Sequence, residues 1–262
     1  MTAFNGIIFF SDDVLNKKYG GSFTASSNSD NAEKAFDGDL ENGWQSSNEN
    51  NDSTISYVRR VFETPVSGDT VIVTNHNLKN LDRLQINDTQ TIFPGYCKTE
   101  KNCTVLKLGS VYTNISSIKI FGSETVVANS EKQIGNILLL TQIGQLQQPQ
   151  EVSSKLNFEQ SELSLQGGKK FIFDSGKFWE FEMSIFSLSQ SDIDLLNNIR
   201  NLRKNFYIWL CGGDTEQFSY NFEPYQFNNF IKVSVKGGVS PNLKDNLYWT
   251  GLRDKLKLVE VE

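Results

Sequence analysis

Histidine is almost absent: one residue, His76, serves a chain of 262. That removes His-x-x-x-His metal pairs, multi-histidine zinc sites and most nucleophilic triads, because each needs imidazole as ligand or base. A hydrolytic enzyme is not expected. Cysteine is scarce as well, and Cys97, Cys103 and Cys211 are too few and too odd in number for a secreted disulfide framework. Cys97 and Cys103 could bridge a local loop, but free thiols in a reducing compartment are the expectation. Long apolar runs are missing: Ile7–Phe10 and Ile137–Leu140 fall far below the roughly 20 residues that cross a bilayer. The N-terminus shows neither the basic region nor the cleavage site of a signal peptide. No membrane span and no export route are expected. Positive charge is not in excess either, the net charge being −6 with a pI near 5.0. Residues 1–123 carry eleven basic and fourteen acidic side chains, residues 124–262 fourteen and seventeen. Each half is therefore −3, so neither is a basic arm and no specific nucleic-acid binding is expected.

What is present describes a folded chain. Hydrophobic residues make up 38%, charged residues 21% and aromatics 12%, with 19 Phe against 2 Met, a mixture able to bury a sizeable core. The length suits two modules. From residue 1 to about 123, short apolar stretches alternate with Asn- and Ser-rich loops and no 3.6-residue period is sustained, the texture of an all-β sandwich or barrel. Strands are expected at Gly6–Phe10, Ser53–Phe62, Thr70–Thr74, Asp82–Ile86, Thr104–Leu108 and Ser117–Phe121, with Asn42–Asn51 as a surface loop. Residues 124–155, amide-rich at 145–150, read as a connector with one strand embedded in it.

The second module, 156–262, shows Trp179, Phe181, Met183 and Ile185 alternating with Glu180, Glu182 and Ser184, the period of a half-buried strand. Ser189 or Ser191 can then cap a helix over about 190–203. Ile193, Leu196, Ile199 and Leu202 fall on one side of it, Asp192 and Asp194 sit in its first turn, and Arg200, Arg203 and Lys204 close it. Strands resume at Phe206–Leu210, Phe218–Phe222, Phe230–Val235 and Leu256–Val261, with turn signals at Gly212-Gly213, Glu223-Pro224 and Gly237-Gly238.

Few residues invite a chemical reading. His76 lies in a polar turn where a lone imidazole is expected to be solvated. Gly167-Gly168-Lys169-Lys170 lacks the spacing of a phosphate loop and reads as a hairpin turn. Asn51, Asn87, Asn102 and Asn114 each open an Asn-x-Ser/Thr triplet, expected by chance in so Asn-rich a chain. Asp12-Asp13, Glu180 with Glu182, and Glu260 with Glu262 are paired carboxylates that nothing places across a common cleft.

Two resemblances add to this. Gly21-Ser22-Phe23-Thr24-Ala25-Ser26-Ser27, then Ala35-Phe36-Asp37-Gly38-Asp39, then Gly43-Trp44-Gln45-Ser46-Ser47 resembles the entry loop of discoidin-type, galactose-binding-like β-sandwiches, with Ser117-Ile118-Lys119-Ile120-Phe121-Gly122 as a closing strand. The resemblance implies a Trp packed under an Asp-Gly turn. It implies a possible calcium ligand pair in Asp37 and Asp39, against the reading that they bond their own backbone. It also implies a glycan-recognising end, where Trp44 and Tyr57 could stack on sugar, although a Trp in this turn is more often core.

Phe178–Met183, the helix, and Phe206–Gly213, followed by Pro224-Tyr225 and Tyr248–Gly251, resemble the strand, helix, strand core of phage tail structural proteins. Ala128–Gly135 and Ile143-Gly144-Gln145 resemble tail-tip and distal-tail text. Together the expectation is a mainly β chain: a discoidin-like β-sandwich at 1–123, a connector at 124–155, and a tail-tube-like β-barrel or sandwich at 156–262 with one inserted helix. The function implied is a structural protein of a bacteriophage tail, located in the virion after synthesis in the host cytoplasm. Its partners would be other tail proteins and copies of itself in a ring, with no catalytic residue, cofactor or metal site assigned. The alternative is a carbohydrate-binding module for host-surface recognition.

Overall fold

The computed structural model describes residues 7–11, 20–38, 42–79, 81–92, 97–100, 103–146, 151–164, 170–187, 189–202, 204–209, 230–236 and 252–260. The chain is mainly β. Its first strands are β1 (Ile7–Phe10), β2 (Ser22–Ala25), β3 (Trp44–Gln45), β4 (Ser56–Thr74), β5 (Arg83–Ile86), β6 (Gln90–Ile92), β7 (Cys97–Glu100) and β8 (Cys103–Gly122). A 3-10 helix, Ser29–Phe36, stands between β2 and β3. Then come β9 (Gln133–Ile134), β10 (Asn136–Leu140), β11 (Gln142–Leu146), β12 (Glu151–Ser164), β13 (Lys170–Ser187), the helix α1 (Gln190–Asn201), β14 (Phe206–Trp209), β15 (Phe230–Val235) and β16 (Leu252–Glu260).

These elements form two compact units, Asp12–Gln142 and the pair of segments Met1–Ser11 with Ile143–Glu262. The first unit is thus inserted in the chain of the second. This differs from division at 123 and 155. β1 joins the second unit because Ile8, Phe9 and Phe10 pair antiparallel with Trp209, Ile208 and Tyr207. The stretch read as a connector holds β9, β10 and β11, and β10 runs beside β4 with Ile137, Leu138, Leu139 and Leu140 buried. Amide-rich text at 145–150 suggested a linker, yet the apolar run before it is a core strand.

In the inserted unit the two long strands β4 and β8 form one ribbon. Ser56–Val61 pairs with Gly122–Ser117, and Thr70–Val73 pairs with Lys107–Thr104, with the register shifting between Val61 and Thr70. A straight 19-residue strand would span about 60 Å. It does not run straight: Leu78, four residues past its end, bridges Thr125, three residues past the end of β8 that pairs with Ser56. The ribbon folds back at its bulges, so both of its ends meet at one end of the unit. The core between holds Phe36, Trp44, Val58, Val71, Ile118, Ile120 and Leu139. Arg60 is buried there, its guanidinium 5.1 Å from the Phe23 and Phe62 ring centres and donating to Gly20 O at 2.9 Å.

The second unit is a seven-stranded sheet in the order β11-β1-β14-β15-β16-β13-β12. Its core takes Ile7 and Phe9 from β1, Leu196 and Ile199 from α1, and Phe181, Phe206, Ile208, Val233, Leu256 and Leu258 from the other strands. The helix expected over 190–203 is present. Ser189 takes the N-cap position without a capping side-chain bond, its hydroxyl meeting that of Ser191 instead. β12 and β13 make a hairpin whose last described pair is Ser164 with Lys170, so Gly167 and Gly168 fall in its connection, outside the described residues. Also outside lie Phe218–Phe222, Gly212-Gly213, Pro224-Tyr225, Gly237-Gly238 and Tyr248–Gly251. Among the described residues no helix is long and apolar enough to cross a membrane.

Candidate functional site

The folding back of β4 and β8 gathers the loops 26–28, 45–55 and 123–133 at one end of the inserted unit. Trp44 anchors them. Its ring is fully buried and its Nε1–H donates to Ser27 O at 3.0 Å, while Gly43 lets the chain pass 2.6 Å from Ile134 O where a Cβ would sit. Asn28, at φ 48°, donates to Gln45 O, and Gln45 donates to Glu131. Lys132 is 1% exposed, its ammonium donating to the carbonyls of Glu49 and Asn51. Asp52 closes the other side, accepting from Thr125 N and Asn129 N and meeting the Thr125 hydroxyl at 3.0 Å. Burial works against its charge, but the bonds from Thr125 and Asn129, helped by Lys79, outweigh it and hold the carboxyl below the ordinary range. On this braced frame Val126, Val127 and Ile55 stand 62%, 71% and 50% exposed.

A second feature occupies the outer face of the β4, β8, β5 ladder. Tyr57 pairs with Phe121, which pairs with Arg83; two residues along, Arg59 pairs with Lys119, which pairs with Gln85. The Lys119 ammonium lies 3.8 Å from the Tyr57 ring centre and 4.8 Å from that of Phe121, and the Arg83 guanidinium lies 4.1 Å from Phe121. Arg59 grips Asp88 through both Nε and Nη2, which draws the Asp88 carboxyl below its ordinary range. Burial lowers the Lys119 ammonium, with Arg59 and Arg83 pushing the same way against Asp88.

The structure redistributes the residues singled out from sequence. Trp44 lies in the core and cannot stack on a sugar, since the side chain that anchors the turn has no face left. Tyr57 is half-buried with Lys119 over its ring. Asp37 is half-buried and Asp39 lies outside the described residues; among the described residues no three His, Cys, Asp or Glu side chains gather as metal ligands. His76 is buried, not solvated, bonded to Thr104 and to the Leu78 backbone. Cys97 stands opposite Leu106 and Cys103 opposite Glu100. That register separates the two cysteine backbones by about 10 Å along the ladder, beyond the reach of a disulfide.

Glu180 and Glu182 are ion-paired with Lys236 and Lys257, and the hydrogen bond from Lys236 lowers the Glu180 carboxyl. Asn87, in a turn, and Asn114, inside β8, both have positive φ, and the Asn87 side chain accepts from Ser116 N and Ser117 N. Asn51 likewise caps a turn through Ser53 N; Asn102, Asp12, Asp13 and Glu262 lie outside the described residues. Lys132 and Asp52 were missed by sequence reasoning, because nothing in the local text tells a buried lysine from an exposed one.

No family model matches the chain, and no curated protein matches it in sequence. Similar solved structures include an F5/8 type C domain from Bacteroides fragilis, at 16% identity and a TM-score of 0.39, covering 53% of this chain and 98% of that one. A chitosan-binding module derived from a chitosanase/glucanase of Paenibacillus sp. IK-5 is similar at 11% identity and a TM-score of 0.37, covering 50% and 98%. CpGH89CBM32-4 of Clostridium perfringens, in complex with glcNAc-alpha-1,4-galactose, is similar at 14% identity and a TM-score of 0.38, covering 50% and 94%.

Proposed function

We propose that the inserted unit, 12–142, is a discoidin-like carbohydrate-binding module and that the chain acts by binding, without catalysis. The observation that carries this is the loop end, where Asp52 and Lys132 tie the 45–55 and 123–133 loops together, Trp44 and Asn28 add the 26–28 loop, and Val126, Val127 and Ile55 stand exposed on the same loops as Asn51, Asn129 and Glu131. A sugar offers hydroxyls together with apolar C–H faces. A rigid rim that sets amide and carboxylate groups beside exposed aliphatic side chains answers both, and bracing spares the ordering cost that a floppy loop would incur on binding. Isothermal titration of the full chain with neutral glcNAc-alpha-1,4-galactose and with cationic chitosan oligomers, each with and without calcium, tests it. Saturable binding that falls at least tenfold in Asn129→Ala or Val127→Asn is expected. Absence of binding in every arm overturns the reading.

A second reading concerns the other unit. The β12–β13 hairpin, paired continuously from Glu151 with Ser184 to Ser164 with Lys170 apart from a bulge at Glu159/Gln160, belongs to the part of the chain whose text resembles phage tail proteins. In this reading the second unit holds the chain in a virion tail through copies of itself and other tail proteins, and the inserted module faces outward. Sedimentation of the purified chain and fractionation of phage particles decide it. A strictly monomeric chain that is missing from the tail fraction sinks the assembly role.

A further inference from the structure

The inserted unit carries twelve basic and sixteen acidic side chains, yet its charge is unevenly placed. Arg59, Lys119 and Arg83 stand on two adjacent rows across β4, β8 and β5, with Asp88 as the acid beside them. One carboxylate balances one cation, and Arg59 takes it through two bonds. Lys119 and Arg83 instead rest on the rings of Tyr57 and Phe121, and among the described residues neither has an ion pair with a carboxylate. The rings fix the two side chains without neutralising them, so the positive charge is held in place before any ligand arrives.

The partner such a strip fits is anionic, and its form can be narrowed. Single-stranded nucleic acid needs open aromatic faces for base stacking, but Phe121 is 4% exposed and Lys119 covers Tyr57. An acidic polysaccharide needs no base stacking and so does not meet that objection. Guanidinium and ammonium groups take its carboxylates in charge-assisted hydrogen bonds. We infer that Arg59, Lys119 and Arg83 form a polysaccharide-binding surface on the sheet face, distinct from the loop end, whose ligands are acidic polysaccharides bearing uronate carboxylates.

Titration of the full chain with polygalacturonate, dextran and single-stranded DNA tests the inference. Polygalacturonate binds, dextran does not bind at this face, and the polygalacturonate affinity falls at least tenfold between about 0.02 M and about 0.3 M salt. The double variant Lys119→Met/Arg83→Met keeps both apolar stems on their rings and loses at least tenfold in affinity with unchanged circular dichroism. Asp88→Asn, at an exposed position, strengthens binding severalfold, a gain that misfolding cannot mimic. Val127→Asn leaves polygalacturonate binding intact, which separates this face from the loop end. Polygalacturonate that does not bind, or that binds equally to wild type and both charge variants, overturns the inference, as does single-stranded DNA that binds as tightly and is lost with the same substitutions.

Discussion

At the scale of single residues, His76 shows how a bond decides a charge state. Its Nδ1 lies 3.2 Å from the Leu78 amide and its Nε2 2.8 Å from Thr104 Oγ1. A backbone N–H can only donate, so Nδ1 is bare, and Nε2 carries the proton and donates to Thr104. Burial drives the imidazole from 6.5 down to about 4. The unfolded chain therefore binds a proton that the folded chain refuses, and the stability that neutral His76 confers is complete above pH 6.5. It is lost as pH falls toward 4, by about 3 kcal/mol in total. Urea unfolding of the wild type between pH 7 and 4 should show this slope and His76→Gln should flatten it; equal slopes would remove His76 as the cause. Sequence could isolate His76 but could not bury it, since its neighbours Asn75 and Asn77 are turn residues whose polarity says nothing about what Thr104 brings from 28 residues away.

At the scale of elements, periodicity marked the helix well, because Leu196 and Ile199 must face the sheet while Asp192 and Asp194 need not. Periodicity failed on β4 and β8. Each was split into two strands, because Glu63, Pro65 and Gly68 interrupt the apolar text of β4 just where the structure places bulges instead of a loop. The bend needs Gly68: a Cβ there would come within 2.6 Å of the Leu139 side chain and 3.1 Å of Leu140 O, and Leu139 is fully buried with no room to retreat. Gly68→Ala is expected to cost about 1–3 kcal/mol, read as a lowered urea midpoint with unchanged m-value. An unchanged midpoint would mean that the bend tolerates a side chain. Gly43 marks a similar close approach in the candidate site, but a glycine in text as Asn- and Ser-rich as 42–51 gives no hint that it sits beside a buried Trp.

At the scale of the whole molecule, two units were legible from length, but their interleaving was not. Local text carries strand propensity and no information on which distant strand supplies the partner. The hydrophobic cluster of the inserted unit lies wholly between Ala25 and Leu139, whereas that of the second unit draws Ile7 and Phe9 from the start of the chain. The fragment 12–142 should therefore unfold cooperatively by circular dichroism, while 143–262 without residues 1–11 should bind 1-anilinonaphthalene-8-sulfonate as a loosely packed state. A non-cooperative melt of 12–142, or a dye-silent 143–262, would count against this division.

The pairing of β1 with β14 also sets a timetable. Ile7, Ile8, Phe9 and Phe10 are synthesised well before both strands that flank them, β11 (Gln142–Leu146) about 130 residues later and β14 (Phe206–Trp209) about 200 residues later. At translation rates of roughly 5–20 residues per second, these four apolar side chains wait on the order of ten seconds for β11 and longer for β14, while the inserted module is made and can fold. Through that interval the nascent chain displays an unpaired, uncharged β-forming segment, the feature that chaperones bind and that seeds aggregation when translation outpaces them.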